Sequence, residues 1–442
     1  MIASPVVKSD TKLQVEIEDE DKKHPTCPHG PMILFYRETP NDGYYSCSAH
    51  RDSKLCHFRI PATSWQAQNL TYTPKERDYP LTRSVKSADP TNYLSALSKE
   101  EAHAQYFFDE KALRFFVNQC RVLKISKVVC IGAPRLHFYL RKEPNMCSFL
   151  LDLDERFAAH LSPQEFCLYN MCNNHFFYSR QPFEQFLKCN ANERVLVMTD
   201  PPFGCRTELI ANTLRCLTIL HNRLNCMPHT PLPIFWVYPY YNVNHIKQDM
   251  PEMEMCDYKI NYTNHTRYTD VGVASRTYGS PVRLFSNVPQ QLLQLPTEEA
   301  YKYCTKCKRY TAAENLHCIR CETCPSQNGQ TYRHCEHCGV CVKPNYVHCF
   351  NCRRCSQREN HDCAVYQSMQ RCWICREKGH IETKCVTWLQ NRRRLKVKPD
   401  KRHPQRCFIC GRAGQHNELK CPKRCRFFKE IKFMNQETTI AL

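Results

Sequence analysis

The distribution of cysteine constrains this chain more than any other feature of its sequence. The chain holds 32 cysteines, and many stand in Cys-x-x-Cys pairs with a histidine a few residues away. That spacing is typical of structural zinc ligands. The chain opens with a polar, acidic stretch, Ser9 to Lys23, instead of the apolar run of a secretory signal peptide. We therefore expect zinc sites in a reducing compartment rather than disulfides in a secreted protein.

Charge and hydropathy favour a polyanionic partner and no membrane span. Lys and Arg number 62 against 43 Asp and Glu, a formal net charge of +19. A surplus of this size favours nucleic acid as the partner. No run of 18 or more apolar residues occurs, so we expect no transmembrane helix. The basic stretch Arg392–Lys398 is a nuclear localisation signal, a phosphate-binding arm or solvated charge, and the sequence does not set the oligomeric state.

Cysteine density divides the chain into nine segments. In chain order we predict a disordered tail (1–24), a small zinc module (25–66), a linker (67–97), an α/β domain (98–292), a His/Cys-rich multi-zinc array (300–365), a zinc knuckle (370–387), a basic linker (388–404), a second knuckle-like module (405–425) and a tail (426–442).

Strands and helices alternate within 98–292, which predicts a Rossmann-like, doubly wound α/β sheet. Leu97–Leu123 predicts an amphipathic helix with Ser98 as its cap. Apolar runs predict buried strands at Lys127–Ile131, Ser148–Leu153, Val195–Thr199 and Ile234–Tyr238, and a final antiparallel pair at Asp257–Tyr262 and Val282–Phe285. Ligands bind at the carboxyl ends of the strands in sheets of this kind.

Asp200-Pro201-Pro202-Phe203 follows one of these strands directly. The lone pair of an adenine amine is delocalised, and two acceptors on its N–H groups would free it. Asp200 and the Pro201 carbonyl supply two acceptors, the Pro201-Pro202 unit fixes that carbonyl, and Phe203 offers a stacking face for a flipped base. The tetrapeptide resembles the [DNS]-P-P-[YFW] motif of S-adenosyl-L-methionine-dependent amino-group methyltransferases, so we predict these four residues as catalytic. A proline-rich turn is the alternative.

Residues that bind the cofactor are predicted at the ends of neighbouring strands. Gly132 has the strand-then-glycine position of a loop that approaches the cofactor, although a full Gly-x-Gly is missing. Asp152 or Asp154 would receive the ribose hydroxyls, with Asp152 preferred, and Asn170 would lie near the adenine. Strand-end solvation is the alternative for these side chains. The complete prediction is Gly132, Ala133, Pro134, Arg135, Asp152, Asp154, Asn170 and Asp200.

The first Cys/His cluster contains Cys27, His29, Cys47 and Cys56. Three thiolates and one imidazole complete a tetrahedral zinc site. Aromatic and basic residues fill this module: Phe35, Tyr36, Arg37, Tyr44, Tyr45, Arg51 and Phe58. It resembles a GRF-type zinc finger, in which aromatic rings stack on single-stranded bases and cations meet phosphates. A purely structural finger is the alternative.

The array contains an internal repeat, His-Cys-x-x-Cys-x-x-Cys, at His317–Cys324, His334–Cys341 and His348–Cys355. An interleaved pairing uses every copy and leaves only His337 over. The predicted zinc sets are Cys304, Cys307, His317 and Cys324; Cys318, Cys321, His334 and Cys341; Cys335, Cys338, His348 and Cys355; and Cys349, Cys352, His361 and Cys363. The region also resembles the cysteine-rich domain of protein palmitoyltransferases, but the sequence Val347-His348-Cys349 and the missing membrane spans exclude that activity.

Two short zinc modules follow the array. Cys372, Cys375, His380 and Cys385 have the spacing of a CCHC zinc knuckle, a module that binds single-stranded RNA. Cys407, Cys410, His416 and Cys421 have the same order with one more residue before the histidine. We predict zinc at both modules.

The order of these modules resembles the CCHC zinc-finger-containing ribosomal RNA adenine-N6 methyltransferase family. Supporting segments are Ala104–Phe108, Pro134–His137, Tyr169–Met171, Leu232–Trp236 and Leu295–Glu299. The resemblance implies S-adenosylmethionine-dependent methylation of an adenosine in structured RNA of the large ribosomal subunit. It also implies a nuclear or nucleolar location, with the cytoplasm as the alternative. The chain departs from the family in having no cysteine in 67–100. The other hypotheses are N6-methylation of another RNA or of DNA, and a non-catalytic RNA-binding zinc protein.

Overall fold

A computed structural model describes residues 13–18, 22–50, 53–65, 76–80, 89–92, 105–264, 279–351, 354–357, 361–365 and 386. The chain forms two compact units, Met1–Gln294 and Leu295–Leu442. No helix within the described residues is long and apolar enough to cross a membrane.

The first zinc module is a small antiparallel fold. Its strands are β1 (Gln14–Glu16), β2 (Thr26–Cys27), β3 (Gly30–Pro31), β4 (Ile33–Tyr36), β5 (Tyr44–Ser46) and β6 (Arg59–Pro61). β2 and β3 pair as a hairpin, and the other four form a sheet in the order β1-β4-β5-β6. Met32, Leu34 and Tyr45 pack with the three cysteines of the predicted zinc set in one buried cluster. The hydrophobic core of the module is therefore built around its zinc ligands.

The second part of the first unit is an α/β domain with an eight-stranded sheet. Its elements are α1 (Glu110–Val122), β7 (Lys127–Ile131), α2 (Pro134–Leu140), β8 (Cys147–Asp152), β9 (Phe166–Asn170), β10 (His175–Phe176), α3 (Gln181–Leu187), β11 (Val195–Thr199), α4 (Thr207–Leu224), β12 (Ile234–Pro239), α5 (Val243–Asp249), β13 (Glu254–Lys259) and β14 (Val282–Ser286).

The strand order of this sheet is β10-β9-β8-β7-β11-β12-β14-β13. β9, β8, β7, β11 and β12 run parallel, whereas β14 is antiparallel to both of its neighbours. The predicted Rossmann-like α/β fold is thus confirmed, and β7 and β11 have the predicted bounds. The strand order reverses between β7 and β11, and ligands of doubly wound sheets bind in the crevice at such a point.

The first helix begins later than the sequence predicted. Leu97–Leu123 was expected to be helical, but α1 begins at Glu110, where the Asp109 side chain accepts a hydrogen bond from the backbone N–H of Ala112 at 2.8 Å. Residues 105–108 are not helical, and Phe108 forms a β-bridge with Tyr262. The prediction was wrong here because Phe107 and Phe108 belong to an extended segment. Their side chains are buried from that segment and not from one face of a helix.

The predicted linker contains segments that pack on the α/β domain. The backbone N–H of Arg77 donates to the carbonyl of Phe177 at 2.8 Å. The Tyr79 hydroxyl donates to the carbonyl of Leu161 at 2.8 Å, and its ring lies 5.0 Å from that of Tyr178. This part of 67–97 therefore crosses the domain surface along a defined path.

The second unit contains a series of short turns that carry the predicted zinc ligands. Three hairpins are formed by β15 (Tyr301–Cys304) and β16 (Arg309–Ala312), β17 (Arg333–Cys335) and β18 (Val340–Val342), and β19 (Val347–Cys349) and β20 (Arg354–Ser356). A further turn, the second in chain order, is closed by a bridge between Cys318 and Thr323. In every copy the first cysteine of a Cys-x-x-Cys pair lies opposite the residue five positions later: Cys304 and Arg309, Cys318 and Thr323, Cys335 and Val340, Cys349 and Arg354. The sequence repeat is therefore a structural repeat.

Candidate active site and zinc sites

A cleft lies at the carboxyl ends of the central parallel strands. Gly132 after β7, Asp152 at the end of β8, Asn170 at the end of β9 and Asp200 after β11 all line it. Parallel strands end at the same edge of a sheet, so residues far apart in sequence meet here. The structure thus brings together the aspartate predicted to be catalytic and three of the residues predicted to bind the cofactor.

Glycine at position 132 allows its own loop, the segment at Met171 and the segment at Asp200 to lie close together. Its φ is +63°, a conformation that favours glycine. A Cβ atom here would lie 2.7 Å from the Met171 side chain and 3.1 Å from the backbone oxygen of Asp200. Of the three residues after it, Pro134 lines the cleft as the first residue of α2. Ala133 is buried, and the Arg135 guanidinium donates to the Thr263 hydroxyl at 2.9 Å.

The structure separates the roles of the two acids after β8. Asp152 lines the cleft, and burial together with the nearby charge of Asp154 raises its pKa to about 7. The Asp154 side chain instead accepts hydrogen bonds from Arg156 and from Gln105, the latter at 2.7 Å. Although burial opposes it, these hydrogen bonds hold the pKa of Asp154 below its ordinary value. Asp152 is therefore the acid available to a ligand in the cleft.

Asn170 holds the first zinc module against the sheet. Its amide donates to the backbone oxygen of His29 at 3.1 Å and to the Ser48 hydroxyl at 2.7 Å. Asn173 donates to the backbone oxygens of His29 and Pro31 at 3.0 and 2.8 Å. Asn170 lines the cleft as predicted, but its amide hydrogens already have partners in the zinc module.

Glycine is also needed where the zinc module meets β10. Gly30 has a φ of +92°, and a Cβ atom here would lie 2.5 Å from the imidazole of His175. Burial lowers the pKa of His175 to about 4, so the ring packs in its neutral form. Ala49 of the zinc module lines the cleft, which makes the module part of the cleft wall.

Asp200 is anchored at the base of the cleft. Its backbone N–H donates to the carbonyl of Ile131 at 3.1 Å, and its Oδ1 accepts a hydrogen bond from the Tyr262 hydroxyl at 2.8 Å. Burial raises the pKa of the Asp200 carboxyl well above its ordinary value, and the hydrogen bond from Tyr262 partly opposes this. Tyr262 lies near the end of the predicted antiparallel pair, but sequence reasoning did not assign it to the site.

Phe203 is surrounded by tyrosines. Its ring centroid lies 6.5 Å from that of Tyr106, with the planes inclined by 31°, and 5.8 Å from that of Tyr238, which meets it edge-on. The Tyr238 hydroxyl donates to the backbone oxygens of Phe203 and Cys205 at 3.0 and 2.6 Å. Tyr238 therefore fixes the turn that follows Pro201 and Pro202.

The residues of the cleft fit the nucleoside and methionine parts of S-adenosylmethionine. A Cβ atom added at Gly132 would collide with Met171 and Asp200, so glycine allows the backbone to pack closely at the cleft. The strand-end carboxylate of Asp152 has the position that receives ribose hydroxyls in nucleotide-binding sheets. Gly132, Pro134 and Asp152 are the residues that would hold the cofactor, and this side of the cleft is called the cofactor wall below.

The predicted zinc ligands of the first module meet in the structure. The ligand atoms of Cys27, His29, Cys47 and Cys56 all lie within 4.8 Å of one another. His29 Nδ1 lies 3.9 Å from Cys27 Sγ and 3.5 Å from Cys47 Sγ. A tetrahedron with zinc–sulfur distances of about 2.3 Å has edges of about 3.8 Å. The donor set and its spacing fit one zinc ion.

The array forms the interleaved ligand sets. Each of the first three predicted sets brings four ligand atoms within 4.8 Å of one another. The sulfur–sulfur distances Cys307–Cys324, Cys321–Cys341 and Cys338–Cys355 are 3.7, 3.6 and 3.7 Å, again tetrahedral edges. In each set, the Cys-x-x-Cys pair comes from one turn, and the histidine and last cysteine come from the next turn. Each zinc ion would therefore fasten one turn to its successor.

The fourth set has a different histidine geometry. Cys349 and Cys363 lie 3.8 Å apart, and His361 presents Nε2 at 3.7 Å from Cys363 Sγ. Its Nδ1 instead lies 3.0 Å from the Ser356 hydroxyl. The predicted ligand Cys352 lies outside the described residues, as do both knuckle sets: Cys372, Cys375, His380 and Cys385, and Cys407, Cys410, His416 and Cys421. The basic stretch Arg392–Lys398 lies outside them too.

The fold and the cleft together define an amino-group methyltransferase. A doubly wound sheet carries a glycine after one central strand, an acid after the next and Asp200-Pro201-Pro202-Phe203 at the point where strand order reverses. Residues 99–281 match the family model described as a probable N6-adenine methyltransferase.

Curated relatives narrow this class to one family. The rRNA N(6)-adenosine-methyltransferase ZCCHC4 of Homo sapiens is 32% identical, with 69% of this chain and 72% of the relative covered. The Mus musculus protein of the same name is 32% identical over 67% of this chain and 70% of the relative. That of Xenopus tropicalis is 30% identical over 66% and 73%. The chain belongs to the ZCCHC4 family of methyltransferases.

Proposed function

We propose that this protein transfers a methyl group from S-adenosylmethionine to N6 of an adenosine in ribosomal RNA of the large subunit. The observation that carries the proposal is the position of Asp200-Pro201-Pro202-Phe203 beside the cofactor wall of Gly132 and Asp152. The relatives named for rRNA N6-adenosine methylation support the choice of ribosomal RNA. The resemblance to their family supports the choice of the large subunit.

The chain's own groups can bind and orient the adenine amine. Oδ1 of Asp200 accepts a hydrogen bond from Tyr262, so we assign Oδ2 as the acceptor for one amine N–H. The backbone oxygen of Pro201 is assigned to the other. Two such acceptors draw the nitrogen lone pair out of conjugation with the ring. S-adenosylmethionine, when bound, supplies an electrophilic methyl group.

The ring slot beside Phe203 suits a flipped base. Stacked bases are separated by about 3.4 Å, so a base between two rings needs a centroid separation of about 6.8 Å. The rings of Phe203 and Tyr106 are 6.5 Å apart and inclined by 31°. We place the target base against these two rings. Nucleobase-modifying enzymes commonly take their target out of the stack into such a pocket.

The electrostatics of Asp200 suit the removal of a proton from the product. Methylation places positive charge on N6, and the amine must then lose one proton. A carboxylate whose pKa is raised by burial accepts a proton more readily than one in water. We assign this proton to Asp200 Oδ2, from which it passes to solvent.

The first zinc module has one face suited to RNA. The rings of Phe35 and Tyr44 are stacked at 5.7 Å with their planes inclined by 22°, and the Arg59 guanidinium lies 3.8 Å from the centroid of the Tyr44 ring. Tyr45, in contrast, is buried in the core of the module. The partly exposed pair and its arginine, together with the net charge of +19, support RNA binding by stacking and charge.

The test is transfer of a labelled methyl group to purified large-subunit rRNA, small-subunit rRNA, another RNA and DNA. Loss of one positioned electrostatic group typically costs about 100- to 1,000-fold in rate, and we expect this loss for Asp200→Ala. The exposed Asp78 supplies a matched control, Asp78→Ala, which should retain full activity. Undiminished transfer by Asp200→Ala would exclude its catalytic role, and preference for DNA would exclude the substrate.

Calorimetry separates this proposal from a non-catalytic RNA-binding protein. An enzyme must bind S-adenosylmethionine, and the cleft variant Gly132→Ala should weaken that binding because its Cβ would meet Met171 and Asp200. Wild-type protein with intact zinc content but no detectable cofactor binding would favour the non-catalytic alternative.

We also propose that the protein resides in the nucleus, where ribosomal RNA is made, and that it concentrates in the nucleolus. The support is the proposed substrate and the basic stretch Arg392–Lys398. Fluorescence microscopy of the tagged protein tests this, with Arg392, Arg393 and Arg394 replaced by alanine in the companion variant. An exclusively cytoplasmic wild-type protein would contradict the proposal.

A further inference from the structure

Phe350 lies exposed in the turn of the fourth zinc site. It follows Cys349, and 70% of its surface is open to solvent. Burying an aromatic ring is favourable in water, so packing of the turn does not explain why phenylalanine stands at this exposed position. The equivalent residue of the second turn, Ile319, is also exposed, at 73%, but it is aliphatic.

Two histidines hold the Phe350 ring in place. The ring centroid lies 5.0 Å from that of His348 and 4.9 Å from that of His337, with the planes inclined by 72° and 70°. His348 is a ligand of the third zinc set, with Nδ1 3.2 Å from Cys338 Sγ. His337 belongs to none of the ligand sets formed by described residues. Edge contacts at these angles orient the ring without covering both faces.

The sequence repeats this aromatic position in the two modules that follow. An aromatic residue comes directly after the first cysteine in three successive Cys-x-x-Cys turns: Cys349-Phe350-Asn351-Cys352, Cys372-Trp373-Ile374-Cys375 and Cys407-Phe408-Ile409-Cys410. The three earlier turns of the array have Thr305, Ile319 and Glu336 there. By this criterion the fourth site of the array resembles the knuckles rather than the sites before it.

The sequence of the fourth zinc site has a basic surplus that suits a polyanion. Residues 337–365 contain the basic residues Lys343, Arg353, Arg354 and Arg358 against the acidic residues Glu359 and Asp362. A rigid aromatic face among cations is the arrangement by which proteins bind unpaired bases, with the ring stacking on the base and the cations meeting phosphates.

We propose that Phe350 is a stacking platform for an unpaired base of single-stranded RNA, so that the fourth zinc site is an RNA-binding knuckle. The proposal deepens the proposed function, because it rests on RNA being the substrate, and it names a contact outside the catalytic unit. Phe350 would add affinity for a single-stranded segment of the substrate RNA.

The test measures binding of the full-length protein to a fluorescent, purine-rich 12-nucleotide RNA by anisotropy. Loss of one base–aromatic stack typically weakens binding about 5- to 100-fold, and we expect this for Phe350→Ala. Phe350→Trp should retain wild-type affinity. Ile319→Ala is the matched control, an equally exposed aliphatic residue at the same position of another zinc turn, and it should bind as wild type.

A second readout separates stacking from a general loss of structure. Removal of a stack leaves the number of phosphate contacts unchanged, so the dependence of affinity on salt should keep its slope in Phe350→Ala. The zinc content of the variant should equal that of wild type. A reduced slope or lost zinc would overturn a stacking role, since both indicate that the turn itself has changed.

The outcomes also separate this proposal from the proposed function. If Phe350→Ala binds single-stranded RNA with an affinity within twofold of that of wild type, and the wild-type protein methylates RNA, only the stacking platform is overturned. Stronger binding of a duplex than of the single strand by wild type overturns it as well. A wild-type protein that methylates no RNA, although Phe350→Ala weakens RNA binding, overturns the proposed function and supports the platform.

Discussion

Asp152→Asn should make the protein more stable and, at the same time, less able to bind its cofactor. Burial raises the pKa of Asp152 from 3.8 to about 7. The unfolded chain therefore releases this proton at a lower pH than the folded protein does. The contribution of this group to the free energy of unfolding is therefore greatest below pH 3.8, where the carboxyl is protonated in both states. It falls as the pH rises toward 7 and changes little above pH 8.

The magnitude follows from the pKa difference. A change of about 3 units at about 1.36 kcal/mol each makes the ionised carboxylate destabilising by about 4 kcal/mol near pH 8. Asparagine cannot ionise, and its oxygen can still accept the hydrogen bond that the backbone N–H of Asp154 donates at 2.9 Å. Burying the new amide N–H group costs about 1–3 kcal/mol. We therefore expect a net gain of about 1–3 kcal/mol.

The assay compares urea unfolding of wild type and Asp152→Asn at pH 6, 7 and 8, without chelator. The stability gap between them should widen by about 1.4 kcal/mol per pH unit below pH 7 and level off above pH 8. Asp154→Asn is the matched control, and its effect on stability should have the opposite sign. The hydrogen bonds from Arg156 and Gln105 favour the ionised form of Asp154 despite its burial. The variant should lose stability at neutral pH.

Cofactor binding completes this prediction. A hydrogen bond to a charged group contributes about 1.5–3 kcal/mol, so loss of the Asp152 carboxylate should weaken S-adenosylmethionine binding at least about tenfold in calorimetry. The claim that burial destabilises the ionised Asp152 carboxylate would be refuted by either of two results. One is a stability difference between the two proteins that does not change with pH, and the other is an Asp152→Asn protein less stable than wild type at pH 8. Unchanged cofactor affinity would refute the assignment of Asp152 to the ribose.

Three more variants test other parts of the structure. Tyr262→Phe removes the hydrogen bond that lowers the pKa of Asp200, so the acidic limb of the methylation rate should move to higher pH, and an unmoved limb would contradict this. Gly30→Ala meets an imidazole 2.5 Å away, so its melting temperature should fall by about 3 °C or more and its cofactor binding should weaken. Gly339→Ala, with a similar φ of +65° and open space, controls for backbone strain. Cys335→Ser should remove one zinc ion per chain by mass spectrometry, and loss of two would contradict the interleaved sets.

The sequence revealed most about elements whose signals are local. The bounds of β7 and β11 agree with the apolar runs because both strands are buried on both faces. The first three groups of predicted zinc ligands in the array agree with the repeat because each takes its residues from two adjacent turns. Short sequence separations fix both kinds of feature, so composition and spacing suffice to find them.

The residues that contact the site from distant parts of the sequence could not be predicted. Tyr262 reaches Asp200 from 62 residues away, and Asn170 reaches Ser48 from 122 residues away. Neither pair leaves a pattern in the sequence. The start of α1 was missed because tertiary contacts of Phe107 and Phe108 outweigh the helical periodicity of the sequence at residues 105–108. Contacts between distant segments decided each of these cases.

The first zinc module is best understood as part of the catalytic unit rather than as an appended RNA-binding finger. Asn170 and Asn173 make four hydrogen bonds to it from the end of β9 and the turn beyond. Ala49 lines the cleft, only two residues after the zinc ligand Cys47. Three of the six buried core residues of the module are predicted zinc ligands, so a zinc ion bound there would stabilise the module and, with it, one wall of the cleft. Such an ion would support both the proposed RNA-stacking face and the space for the cofactor.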